Sequence, residues 1–327
     1  MPPAGTTPGV ATPAITTPDV ATPAITASTT AAPTAAASTV AAVAAPVVAG
    51  AATTTSGSTP AVARTCARIL SLVLPGFPCK SPNPAKVLGR VPDEGERLSL
   101  RFLDGLCAAV EEVYAPGARM LICSDGHVFG DLIGVPDEHI DAYAGGLQAM
   151  IRHERLGHLS VFDLRDVLGD LPYDDKRTLV SERYAPPLEQ LRAEVRAGED
   201  TLRLYRGITR FLVDDTADFA GSRSALQCAC RQRAYGVIQR SRAWSNIIAA
   251  HHPRSVRLSI HPQRRGAAKL GIRLLDARDA WATPWHSVAL HRLDGGWELT
   301  RRTDAERLGR LVLRNGQPSH FEATTPA

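Results

Sequence analysis

The chain has 327 residues, 37 of them basic and 33 acidic, with 44% hydrophobic and 5% aromatic side chains. That length leaves room for more than one domain, at about 100–200 residues each. The arginines are spread along the chain with no interleaved aromatics of the kind that stack bases, so nucleic acid is not an expected partner.

Residues 1–63 contain no aromatic side chain and one charged residue, Asp19. Composed almost entirely of Ala, Thr, Pro, Val, Ser and Gly, they have too little large apolar surface to offset the entropy of ordering and are read as a disordered tail. Within it TPGVATPAIT (7–16) is repeated at once as TPDVATPAIT (17–26), a tandem repeat whose prolines favour extended backbone. The first thirty residues hold no Lys or Arg, and the Ala/Val stretch near residues 43–52 is broken by Pro46. A secretory signal and a membrane span are therefore not expected, and the protein is placed in the cytoplasm. Residues 64–327 then form the catalytic domain, carrying 37 basic against 32 acidic side chains, a surplus that suits anionic ligands. The six cysteines, Cys66, Cys79, Cys107, Cys123, Cys228 and Cys230, include no CxxC pair and read as reduced thiols.

After a stiff proline-rich loop, LPGFPCKSPNPAK, an apolar-periodic stretch predicts a helix over Leu98 to Tyr114, stopped by Pro116 and Gly117. ARMLICSDG reads as a buried strand that delivers Ser124 and Asp125 at its carboxyl end. Helical spacing over Asp137 to Arg155 and a strand at Leu159 to Leu164 continue the rhythm. Residues 175–250 are mostly helical in pattern. VRLSIHP, WHSVALHRL and WELTRR then read as strands, the last two joined by an LDGG turn as a hairpin. The expected fold is one α/β domain with a mixed sheet flanked by helices, parallel early and antiparallel late. In such sheets ligands sit beyond the carboxyl ends of strands, which favours SDG and HPQ as positions for chemistry.

LPGFPCKSPNPAK packs Lys80, Ser81, Asn83 and Lys86 among four prolines that hold the backbone in place. With GFPCKSPNPAKVLGRVPDEGE, SDGHVFGDLIGV, RGITRFL, VIQRSRAWS, VRLSIHPQ, KLGIRLL, TPWHSVAL and the closing PSHF in order from about Leu74 to Phe321, the chain resembles the isocyanide synthase family. That family includes the pyoverdine/paerucumarin-pathway and spore-wall dityrosine-pathway enzymes. The resemblance implies a Rossmann-like core. It also implies a reaction in which the α-amino group of tyrosine or tryptophan condenses with the ketone of ribulose 5-phosphate, and fragmentation leaves one sugar carbon on nitrogen as an isonitrile. No cofactor or metal is implied, only the sugar phosphate as co-substrate, with an iron and 2-oxoglutarate oxygenase as pathway partner. An N-formyl product of the dityrosine type, and a non-catalytic binder of sugar phosphate or amino acid, are the alternatives.

Such a reaction needs a hold on phosphate and carboxylate, proton transfer, and an aromatic pocket. Lys80, Lys86, Arg206, Arg210, Arg240 and Lys269 are the candidate anion binders. His261, His286 and Asp125 are the candidate acids and bases, and Lys80 can join them if burial lowers its pKa. Ser81, Asn83 and Ser241 can bond sugar hydroxyls, and Trp244 and Trp285 can wall the ring. Asp214 and Asp215 are read as capping or solvating a helix. His153 and His158 in HERLGH are five apart, where zinc ligation on one helical face needs i, i+4. Asp125, His127 and Asp131 could hold a divalent ion, but no metal is expected.

Overall fold

The computed structural model describes residues 68–263 and 266–325. The repeat-bearing tail and the boundary at residue 64 lie outside the described residues. Five strands form a wholly parallel sheet in the order β3-β2-β1-β4-β5: β1 (Leu70–Pro75), β2 (Ala118–Cys123), β3 (Leu159–Phe162), β4 (Val256–Ser259) and β5 (Leu270–Gly271). The central strand, β1, alternates its side chains between two cores. Leu72 and Leu74 pack on one face with α1 (Glu94–Val113) and α3 (Asp137–His153). Val73 packs on the other with α5 (Tyr173–Tyr184) and the long α8 (Arg223–His251). The short α2 (Gly126–Ile133) and α4 (Leu164–Leu168) lie on that second face too, through Val128 and Leu164. A sheet covered on both faces is what continuous apolar runs such as LSLVL require.

The expected α/β class with helices flanking a parallel sheet is present, but the late strands form a separate second sheet, and it is mixed instead of antiparallel, two of its four pairings being parallel. The second has the order β6-β8-β7-β10-β9: β6 (Asp276–Ala277), β7 (Val288–His291), β8 (Trp297–Thr300), β9 (Gly309–Arg314) and β10 (Gln317–Ala323). β7 and β8 form the antiparallel hairpin expected from LDGG. Helix α1 lies between the sheets, touching β2 and β3 on one side and β7 and β10 on the other. That position explains why its first turn, with Glu94 and Glu96, is buried. Asp93 and Glu96 form a capping box, each carboxylate taking a backbone N–H at the other's end. The helix therefore starts four residues before the apolar periodicity does.

The remaining helices, α6 (Leu188–Ala197) and α7 (Glu199–Asp215), pack outside α8 through Leu191, Val195, Leu212, Ile238 and Ala234. A last short helix, α9 (Arg302–Leu308), covers β7 and β10 with Ala305 and Leu308. No helix among the described residues is long and apolar enough to cross a membrane.

Candidate active site

Strand order reverses direction between β1 and β4, and the crevice beyond their carboxyl ends is where an open α/β sheet places its ligands. The proline-rich loop leaves β1 into this crevice. Its path is set by close contacts: the Ser124 hydroxyl donates to the Phe77 carbonyl at 3.0 Å, and a Cβ on Gly126 would sit 2.1 Å from the Pro78 carbonyl. The glycine of SDG is thus required by the approach of another backbone. Phe77 holds a left-handed φ of 54° and packs its ring 5.0 Å from that of Trp285.

Lys80 turns inward from this loop. Its Nζ lies 2.7 Å from Asp93 Oδ2, 2.7 Å from Glu96 Oε2 and 2.9 Å from the Pro284 carbonyl, which uses all three of its protons. Burial alone would lower the pKa of the amine, but the two carboxylates outweigh it and raise it. The condition for Lys80 to act as a neutral base is thus reversed. It is a buried ammonium that ties the loop to the first turn of α1 and to the strand-linking segment at Pro284.

Ser81, one residue on, turns the other way and donates to Asp215 Oδ1 at 2.5 Å. Lys86 donates to the same oxygen at 2.9 Å, and His286 Nε2 approaches Asp215 Oδ2 to 3.7 Å. His286 is held from behind by Thr283, whose Oγ1 is 3.1 Å from Nδ1, and its ring meets Phe211 edge-on at 5.0 Å. Asn83 donates to the Asp214 carbonyl at 3.0 Å, stapling the loop to the end of α7. A carboxylate at a helix C-terminus faces the negative end of the dipole. Burial pushes the Asp215 carboxyl up as well, yet His286, Ser81 and Lys86 bring it down to about 2. Asp215, read from the sequence as a capping or solvated residue, is instead the hub that joins Ser81, Lys86 and His286.

Asp125 and His261 each stand two residues beyond the carboxyl ends of β2 and β4, the two neighbours of β1. Asp125 is the N-cap of α2 but makes no capping bond; its backbone lies in the bridge region and its Oδ1 is buried without a hydrogen-bond partner. Burial pushes its carboxyl up to about 7. His261 is solvent-exposed at the mouth of the crevice, and its pKa is lowered first by partial desolvation and then by Lys269 and His286. Lys269 is itself lowered, by desolvation and then by Arg257. An exposed indole, Trp281, lies 5.1 Å from the His261 ring.

Other sequence candidates lie elsewhere. Arg206 and Arg210 are exposed and line a shallow groove on α7 of about 260 Å³ with Glu199 and Arg203, on the side of the helix away from Asp215. Arg240 is spent on Asp131 and the Val128 carbonyl, clamping α8 to α2. Ser241 is exposed on α8. Trp244 stacks on Phe162 at 5.6 Å in the second core, and Trp285 is buried against Gly76 and Phe77, so neither ring faces open space. His158 is taken by Asp104 and Glu111. His127 lies between Asp137 and Asp141 and stacks on Tyr173. Among the described residues no group of three or more metal-ligating side chains gathers.

Residues 63–312 match the family described as pyoverdine/dityrosine biosynthesis protein. The chain belongs to this family. Among its members, the L-tyrosine isonitrile synthase of Pseudomonas aeruginosa is 48% identical over 258 residues, 77% of this chain and 79% of that protein. The L-tryptophan isonitrile synthase AmbI2 of Fischerella ambigua is 42% identical over 259 residues, 78% of each chain. A solved structure from the family, the PvcA protein of Pseudomonas aeruginosa, is 46% identical and superposes with a TM-score of 0.74, covering 79% of this chain and 86% of that one. Several family relatives are isonitrile or isocyanide synthases, and this chain is an enzyme of that type.

Proposed function

We propose that the chain converts the α-amino group of an aromatic amino acid, L-tyrosine or L-tryptophan, into an isonitrile, taking the carbon from ribulose 5-phosphate. The observation that carries the chemistry is the pair of oppositely tuned groups flanking β1. A carboxyl raised to about 7 retains a proton near neutrality, and an imidazole with a lowered pKa is free to accept one. Condensing an amine with a ketone and then breaking a carbon–carbon bond requires both. In this reading Asp125 is the acid and His261 the base. His286, anchored by Asp215 and Thr283, positions the sugar, and Lys86 with Lys269 supplies positive charge for its phosphate.

In this reading the chain's own residues meet these demands, with the sugar phosphate as co-substrate. Its setting would be the cytoplasm, with an iron and 2-oxoglutarate oxygenase consuming the product. The test is to incubate the full chain with ribulose 5-phosphate and a pool of amino acids and to read products by mass spectrometry. A product one carbon heavier and two hydrogens lighter than one amino acid is expected. A formamide as the primary product would replace the reading with the dityrosine-type reaction, and no new mass would leave a binding protein.

A further inference from the structure

A cavity of about 660 Å³ lies beside the Asp215 cluster under residues 79–90. Its other walls are the link between α2 and α3, residues 216–219 after α7, and the first turns of α8. Two guanidinium groups face it. Arg233 is aimed by Thr216 Oγ1 at 3.0 Å and Cys230 Sγ at 3.2 Å, and its Nε is buried without a hydrogen-bond partner. Arg90 donates to His139 Nε2 at 2.7 Å, which requires that nitrogen to be unprotonated. Neither arginine has a carboxylate within ion-pair distance among the described residues, and Asp218 is the one acidic side chain in the lining. A third arginine there, Arg302, is already committed to Glu306 and to the Pro84 and Val87 carbonyls.

Guanidinium groups beside a cavity without a carboxylate partner call for an oxyanion. The rest of the lining decides which kind. Val87, Leu88, Ile133 and Phe219 are apolar, and the two lining hydroxyls are taken: Ser81 donates to Asp215, and Thr216 donates to the Leu212 carbonyl while accepting from Arg233. A polyhydroxylated sugar would find few partners here, whereas a carboxylate carrying an aromatic ring would find both charge and apolar surface. We propose that this cavity is the amino-acid subsite, with Arg233 and Arg90 holding the α-carboxylate and Ile133, Leu88 and Phe219 receiving the side chain. The subsite rests on the isonitrile-synthase reading. Ser81 belongs to both the cavity and the Asp215 cluster, so the bound amine would lie at the edge of the site where the sugar is held.

The test is calorimetric titration of the full chain with L-tyrosine, L-tryptophan and ribulose 5-phosphate, separately, for the wild type, Arg233→Gln, Arg90→Gln and Phe219→Ala. Arg90 and Phe219 are exposed, so those two variants keep the test valid if Arg233→Gln fails to fold. Each arginine variant is expected to weaken amino-acid binding about tenfold, the loss of one charge-assisted contact, and to leave ribulose 5-phosphate unchanged. Unchanged amino-acid affinity, a loss confined to the sugar phosphate, or no amino-acid binding by the wild type would overturn the subsite. A wild type that binds tyrosine through Arg233 yet makes no isonitrile would sink the reaction and leave the subsite standing.

Discussion

Lys80 and Ser81 are neighbours on one rigid loop and open onto opposite environments. The Lys80 side is dry, with an ammonium closed between Asp93 and Glu96 and no face to the crevice. On the Ser81 side the same residue types form a cluster in which Lys86 and His286 remain a quarter exposed around Asp215. A buried ion group of the first kind fixes where a loop goes; a half-open one of the second kind can meet a substrate. Motif density in the sequence marks both and does not distinguish them, because the direction of a side chain alternates along an extended loop.

Replacing members of each side separates them. The largest effect should come from Lys80→Met, which leaves two buried carboxylates without their cation. A destabilisation of about 3–5 kcal/mol is expected, read as a lowered denaturant midpoint. Normal stability with lost turnover would return Lys80 to the chemistry. Next, His261→Gln and Asp125→Asn should each lower turnover by roughly 10²–10⁴-fold while the circular dichroism spectrum stays that of the wild type. Turnover within a few-fold of wild type in both variants would remove them from the reaction.

The Asp125 carboxyl also has a signature in stability. Its folded pKa of about 7 lies above its ordinary value of 3.8, so the folded chain binds the extra proton. Stability from this group falls as pH rises from about 4 through 7 and stays low above it. Asp125→Asn should therefore raise the melting temperature at pH 8, by roughly 2–4 °C for each kcal/mol relieved, and should raise it less at pH 4. Asp215 has the opposite sign, since a carboxyl lowered to about 2 contributes stability that is lost as pH falls from about 4 through 2. The smallest effect belongs to Arg206→Ala and Arg210→Ala, on the outer side of α7, where turnover should remain within about twofold, the range of surface substitutions.

The parts of this molecule legible in sequence are those governed by local pattern. The helix at 137–153, strands β2, β3 and β4 and the β7–β8 hairpin follow from periodicity and turn residues. Strand β1 was hidden because its apolar run flows into the proline-rich loop with no turn residue before Pro75. The β9–β10 hairpin carries an Asn315-Gly316 turn signal that the strand reading omits, and the split into two sheets is a long-range choice that no local pattern records. The positions of Asp125 and His261 just past strand ends are legible because the apolar strand runs stop at them. Asp215 is not, although an acid ending a helix against its dipole is a signal that a compensating cation lies near. Trp244 and Trp285 show the converse: tryptophans inside family motifs that serve the cores.

The origin of the isonitrile carbon tests the account most directly. The full chain, supplied with L-tyrosine and then L-tryptophan together with ribulose 5-phosphate labelled uniformly with carbon-13, should give a product whose isonitrile stretch shifts to lower frequency relative to the unlabelled reaction. An isonitrile band that does not move with the label, or a product whose new carbon is unlabelled, would contradict it.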